Sequence, residues 1–341
     1  MRAMLPFDPE KGDIITEEGQ SQIPNACKRG WKKVASLLLF AALVVLLGAY
    51  IADHWEDMGK LFVVSGRSAA LLLTLALGGC LTNCIYHLMI LRTYGVPLSL
   101  TDWMGVVSVS NAISYVLPLR ADLVFSAAYY KRVKGLQYTK SASMAAGNIV
   151  FGVAFFLLQM LVALLCIGLL EGQWQPVLWI LWALGLAAVA LLIVFPLLFQ
   201  GKAPTLFRKW KMLAGVIVGF NALLRNRRLL FQLLLCLVVN NAFQLLLYLA
   251  CFQTAGLPIT LYGILFCNSV SWLSSIITLV PGNLGIKESG LGVIMLLIGE
   301  PFQNGVSVSL LQRVAVMMIH LLMGLVFALP VYRRFSSEKN R

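Results

Sequence analysis

Apolar runs of about 20 residues recur along this chain, and no other feature of the sequence narrows its fold so far. A run of that length crosses the hydrocarbon core of a bilayer as a helix, with every backbone group satisfied internally. The runs are continuous rather than alternating, which excludes a membrane β-barrel. Charged residues make up 12% of the chain against 60% hydrophobic, about half the charge of a soluble domain. The expected fold is an all-α polytopic membrane protein. It has about six full spans and two re-entrant or broken helical elements, about eight hydrophobic segments together.

The full spans are expected at residues 34–52, 69–91, 142–170, 177–199, 229–251 and 306–332. Residues 1–33 form a polar, flexible cytoplasmic segment, 34–332 the integral membrane domain, and 333–341 a cytoplasmic tail. The first apolar run lacks a small-residue cleavage site and reads as a retained span. Two pieces do not fit a simple crossing. Residues 103–118 are interrupted by Ser108, Ser110, Asn111 and Ser114 and stop at Pro118-Leu119-Arg120. Residues 258–299 break at Pro281-Gly282-Asn283-Leu284-Gly285, and the apolar piece that follows is too short to cross. Helices broken in corresponding halves of a chain, entering from opposite faces, point to a midplane binding site and an inverted repeat.

Orientation follows from Lys and Arg in short loops. The N-terminal segment, the stretches around 120–140 and 202–228, and the C-terminus are basic. The alternate loops are poor in positive charge, so both termini are expected on the cytoplasmic side of a cell inner membrane. In a soluble chain a net charge of +13 would suggest nucleic acid. Here the basic residues sit between spans, where they set topology and attract anionic headgroups. The seven cysteines are scattered. Cys80 and Cys84 share a helix face but have no further ligands nearby, so no metal site is expected.

The densest chemical signal is Val280-Pro281-Gly282-Asn283-Leu284-Gly285-Ile286-Lys287-Glu288. Pro and Gly break the helix, and the amides freed at the next helix start favour an anion. Lys287 adds a positive charge, and Glu288 holds Lys287 or carries a proton. Charges at membrane depth cost a few kcal/mol each and so mark function or pairing. Arg120 and Asp122, after the first broken piece, form a second signal: an arginine to meet phosphate and a carboxylate to orient it. Arg313 needs a partner inside its span, and Glu288 or a lipid phosphate is the natural candidate. His87 and His320 read as buried hydrogen-bonding residues. Asn240, Asn241 and Gln244 either line a polar path or join helices. No G-x-x-x-x-G-K-[ST], H-E-x-x-H or G-x-S-x-G is present, so a P-loop ATPase and the common hydrolases are excluded. Neither enzymatic activity nor a cofactor is expected.

The segment Pro281-Gly282-Asn283-Leu284-Gly285-Ile286-Lys287-Glu288 resembles the P-G-G-L-G-[VI]-[RK]-E of the lysylphosphatidylglycerol synthase transmembrane-region family, a flippase-like membrane domain. Pro118-Leu119-Arg120-Ala121-Asp122 and Ala128-Tyr129-Tyr130-Lys131-Arg132 resemble that family's first-half motif and the aromatic-basic stretch after it. The resemblance covers about residues 30–335. Asn283 stands for a Gly, the Gly before the first-half acid is missing, and Gly147-Asn148 replace a charged pair. The family's aminoacyl-transferase domain is not expected in this chain. The resemblance implies movement of a phospholipid or lipid-linked headgroup between leaflets, with Arg120, Asp122, Lys287 and Glu288 as substrate-binding residues. Arg120 on the inner side would pass the phosphate to Lys287 on the outer side, with Arg313 completing the charge network. Pro281, Gly282, Asn283 and Gly285 would shape the site. A different reading makes the chain a non-catalytic partner that scaffolds envelope polysaccharide or glycolipid assembly together with other envelope-biosynthesis proteins.

Overall fold

A computed structural model describes residues 64–95, 97–117, 120–172, 174–198, 226–276, 283–297 and 299–337. The expected first span, the N-terminal segment and most of the second basic loop lie outside them. Among the described residues every regular element is a helix. Helix α1 is Gly66–Arg92, and a π-helical turn, Thr101–Gly105, runs into α2, Val106–Val116. Then come α3, Ala121–Lys134, α4, Tyr138–Glu171, and α5, Pro176–Leu198. The second half holds α6, Arg227–Thr254, α7, Leu261–Ser274, α8, Ile286–Leu297, and α9, Phe302–Ser337. Each expected full span within the described residues is one of these helices. Five of them, α1, α4, α5, α6 and α9, are long and apolar enough to cross a membrane.

One expectation needs correction. The basic stretch after Arg120 was expected as a loop but is helix α3, because a run without Gly or Pro between Arg120 and Gly135 lets the helix continue. Helix α7, the apolar helix before the second break, ends at Ser274. Side-chain caps set the starts of several helices. Ser65 Oγ accepts from Ser68 N at 3.1 Å and Asn226 Oδ1 from Leu229 N at 3.1 Å, satisfying amides that the helix leaves free.

The short helices pair as two hairpins. In the first, α2 and α3 pack side by side, and the start of the π-turn meets the end of α3 through Asp102, Tyr129 and Lys134. In the second, α7 packs on α8, and α8 packs in turn on α9. A Cβ on Gly305 of α9 would come within 2.3 Å of the Leu291 carbonyl oxygen, so only glycine permits that backbone approach.

The ends of the bundle differ in charge. One carries Arg92, Lys131, Arg132, Lys134, Lys140, Arg227, Arg228, Arg333 and Arg334. The other carries Glu171 and Glu300, with Arg67 as its basic residue among the described ones. The three remaining described cations, Arg120, Lys287 and Arg313, lie between the ends.

Candidate functional site

The tips of the two hairpins meet inside the bundle. Arg120 precedes α3 in a left-handed conformation, φ +57°, and Asn283 adopts φ +54° shortly before α8. Neither is glycine, so both turns are held by what their side chains reach. Both reach the same atom. Asn283 Nδ2 donates to the Ser275 carbonyl at 3.0 Å, and Arg120 Nη2 donates to it at 3.4 Å. Ser275 follows α7 directly, so one main-chain oxygen joins the first hairpin to the second.

A cavity of about 360 Å³ lies beside this joint. Its lining runs from Ser141, near the start of α4 at the basic end, to Ser275 at the tips. Arg120 and Asp122 both line it. So do His87 of α1 and His320 of α9. His320 contacts Tyr115 Oη through Nδ1 at 3.4 Å and Asn111 Nδ2 through Nε2 at 3.5 Å. Trp272 closes one wall. It stacks on Phe156 at 4.6 Å between ring centroids and sits over Gly152, where a Cβ would come within 2.1 Å of its ring.

The residues of the second motif lie apart from the cavity lining. Glu288 is fully buried and pairs with Arg313 Nε at 2.6 Å. Its other oxygen accepts from Gly285 N at 2.8 Å, so the carboxylate caps its own helix. Arg313 Nη2 also donates to the Asn283 carbonyl at 3.2 Å. Lys287 reaches Gln312 and sits 5.8 Å from the Tyr248 ring centroid. The expectation of free amides awaiting an anion is therefore corrected at Gly285, whose N–H Glu288 already occupies. Glu288 holds Arg313 rather than Lys287. Pro281 and Gly282 lie outside the described residues.

The polar residues of α6 join helices. Asn240 donates to the Gly79 carbonyl at 2.8 Å, Asn241 accepts from Asn268 at 2.7 Å, and Gln244 accepts from Gln312 at 3.4 Å.

Sequence reasoning missed a third cluster, at the basic end. Asp102 is fully buried and pairs with Lys134 at 2.7 Å and Arg334 at 3.1 Å. It accepts from Tyr129 Oη at 2.9 Å and from Ser99 N and Oγ, both at 2.8 Å. Burial pushes its carboxyl up, but the hydrogen bonds from Lys134, Ser99 and Tyr129 outweigh this and hold it down at about 2. The signal available was an acid at the head of a broken apolar piece, with Tyr129-Tyr130 and Lys134 one short helix later.

No curated protein and no solved structure matches the chain. The family described as the lysylphosphatidylglycerol synthase TM region matches residues 30–324, which include both hairpins and the joint between them. The chain belongs to this family of membrane proteins.

Proposed function

We propose that this protein is a flippase-like transporter that moves a phospholipid or lipid-linked headgroup between leaflets, with no covalent step. One observation carries the reading: a polar cavity, holding an arginine and a carboxylate, stands inside an apolar bundle where two broken helical hairpins meet. A headgroup cannot enter hydrocarbon without losing its solvation. A polar cavity replaces that solvation while the acyl tails stay in the bilayer. Broken helices are tolerated at membrane depth where they line such a cavity.

In this reading both hairpins are re-entrant. The basic end faces the cytoplasm of an inner membrane, following the excess of Lys and Arg there. The cavity then serves the inner leaflet, with Arg120 as the phosphate ligand and Asp122 orienting it. Glu288, Arg313 and Lys287 act behind the lining, holding the second tip in shape. Released from Ser275, the tips would part and extend the polar path toward the opposite end.

The test is translocation of fluorescent phospholipids in proteoliposomes. Arg120→Gln removes a charged hydrogen bond worth about 1.5–3 kcal/mol and should slow transport about ten- to a hundredfold. Lys287→Gln, whose amine faces Gln312, should slow it less. Wild-type rates in correctly folded Arg120→Gln would sink the reading and favour the scaffold alternative.

A further inference from the structure

The transport reading leaves the substrate class open, and the cavity lining narrows it. Two hydroxyls, Ser110 Oγ and Ser141 Oγ, are buried without a hydrogen-bond partner among the described residues. Ser110 is 8% exposed. Both line the cavity. Asn83 and Asn148 line it too, and neither side chain makes a hydrogen bond to another described residue. Asn83 and Asn148 are half-buried, and amides that line a cavity without a protein partner call for a ligand or water that completes them. The two serine hydroxyls are reached only if the side chains around them shift.

The chemistry of these groups is selective. Each amide and hydroxyl both donates and accepts. A hydroxyl-rich ligand answers both roles, whereas an ammonium group only donates and would strand the amide N–H groups. Sites for substituted ammonium are cages of several aromatic faces, and here the Trp272 ring is stacked on Phe156 rather than arranged with Tyr130 as such a cage. Among the described residues the fixed charge in the lining is one cation, Arg120, and one carboxylate, Asp122. That balance suits one phosphate. A second phosphate would lack a cation and meet Asp122, whose oxygens instead suit neighbouring hydroxyls. The cavity volume of about 360 Å³ is many times what a single water needs. Such a space admits a phosphate with a sugar-sized polyol, which fills more of it than ethanolamine phosphate does.

We infer that this cavity takes a lipid headgroup made of one phosphate and a neutral, hydroxyl-rich group of sugar or polyol size. Arg120 binds the phosphate, and Asn83 and Asn148 bind the hydroxyls. This inference rests on the reading of the cavity as a headgroup site, but its test is binding rather than transport.

Full-length protein in detergent is offered an equimolar mixture of phosphatidylinositol, phosphatidylethanolamine and lysyl-phosphatidylglycerol, and native mass spectrometry reads the bound lipid. The expected result is phosphatidylinositol enriched about tenfold, the yield of one or two added buried hydrogen bonds. Asn148→Leu should bring the ratio to phosphatidylethanolamine near unity, while Asn148→Ser retains part of the preference. Arg120→Gln should weaken retention of all three lipids. Equal occupancy in the wild type, or preference for either amine-bearing lipid, overturns the inference. So does a phosphatidylinositol preference unchanged in folded Asn148→Leu. Translocation is measured beside it. Retention of phosphatidylinositol without movement of any lipid would leave the headgroup class standing and remove transport. Movement without preference would do the reverse.

Discussion

Glu288 and Arg313 are charges that a bilayer interior accepts only as a pair. Glu288 is fully buried, and its two oxygens are divided between Arg313 and the Gly285 amide. Removing one partner leaves the other charge buried and uncompensated, at a cost of about 3–5 kcal/mol. Glu288→Leu and Arg313→Leu should each lower the melting temperature in detergent sharply. The double variant should recover much of that loss, because two apolar residues replace two buried charges. A double variant as unstable as the sum of the singles would show that the pair is not the unit of stability. Arg313's need for a partner was legible in the sequence, and Glu288, in the densest charged motif, was the natural acid. What was not legible is which cation Glu288 chooses. Lys287 is adjacent in sequence, but adjacent residues on a helix point apart, and the carboxylate faces Arg313 across to α9.

At the scale of elements, the latch around Asp102 ties the open end of the first hairpin to the last helix. Lys134 closes the hairpin on itself, and Arg334 brings the end of α9 to the same carboxylate. Asp102→Asn keeps the shape but loses both ion pairs. It should leave α1 and α6 intact while raising hydrogen exchange in α3 and in the last turns of α9. Unchanged exchange there would rule out a latch. The acid dependence has a definite sign. The folded carboxyl lies at about 2, below the roughly 3.9 of an unfolded aspartate. Its stabilisation is therefore complete above about pH 4 and fades as pH falls toward 2. Melting of the wild type should show this loss between those values, and melting of Asp102→Asn should lack it. The latch escaped sequence reading because its parts are far apart in the chain: Tyr129 lies 27 residues from Asp102 and Arg334 lies 232. The hairpin itself was half legible. Pro118 and the serines marked a broken piece, but the Lys and Arg of α3 read as loop charge and hid its return.

For the whole molecule, the spans were legible because each is long, continuous and apolar, and a bilayer leaves such a segment no alternative to helix. The cavity was not, because its lining comes from α1, α2, α3, α4, α7 and α9, and only Arg120 and Asp122 among its residues carry charges that stand out in sequence. The charge difference between the two ends yields a prediction about orientation. In intact cells, an impermeant thiol reagent should label Tyr262→Cys, at the acidic end, and should label Ser337→Cys only after the membrane is opened. A reversed pattern would turn the cavity toward the other leaflet.

The joint between the hairpins has an unusual genetic property. Arg120 and Asn283 both lean on the carbonyl oxygen of Ser275, and a carbonyl belongs to the chain rather than to any side chain. No codon change at position 275 deletes that acceptor. A scan of substitutions would therefore rate Ser275 as dispensable while the two halves of the molecule remain fastened through it. Only a change to the backbone, such as an ester in place of the amide at residue 276, weakens the oxygen itself and would expose how much of the structure hangs on it.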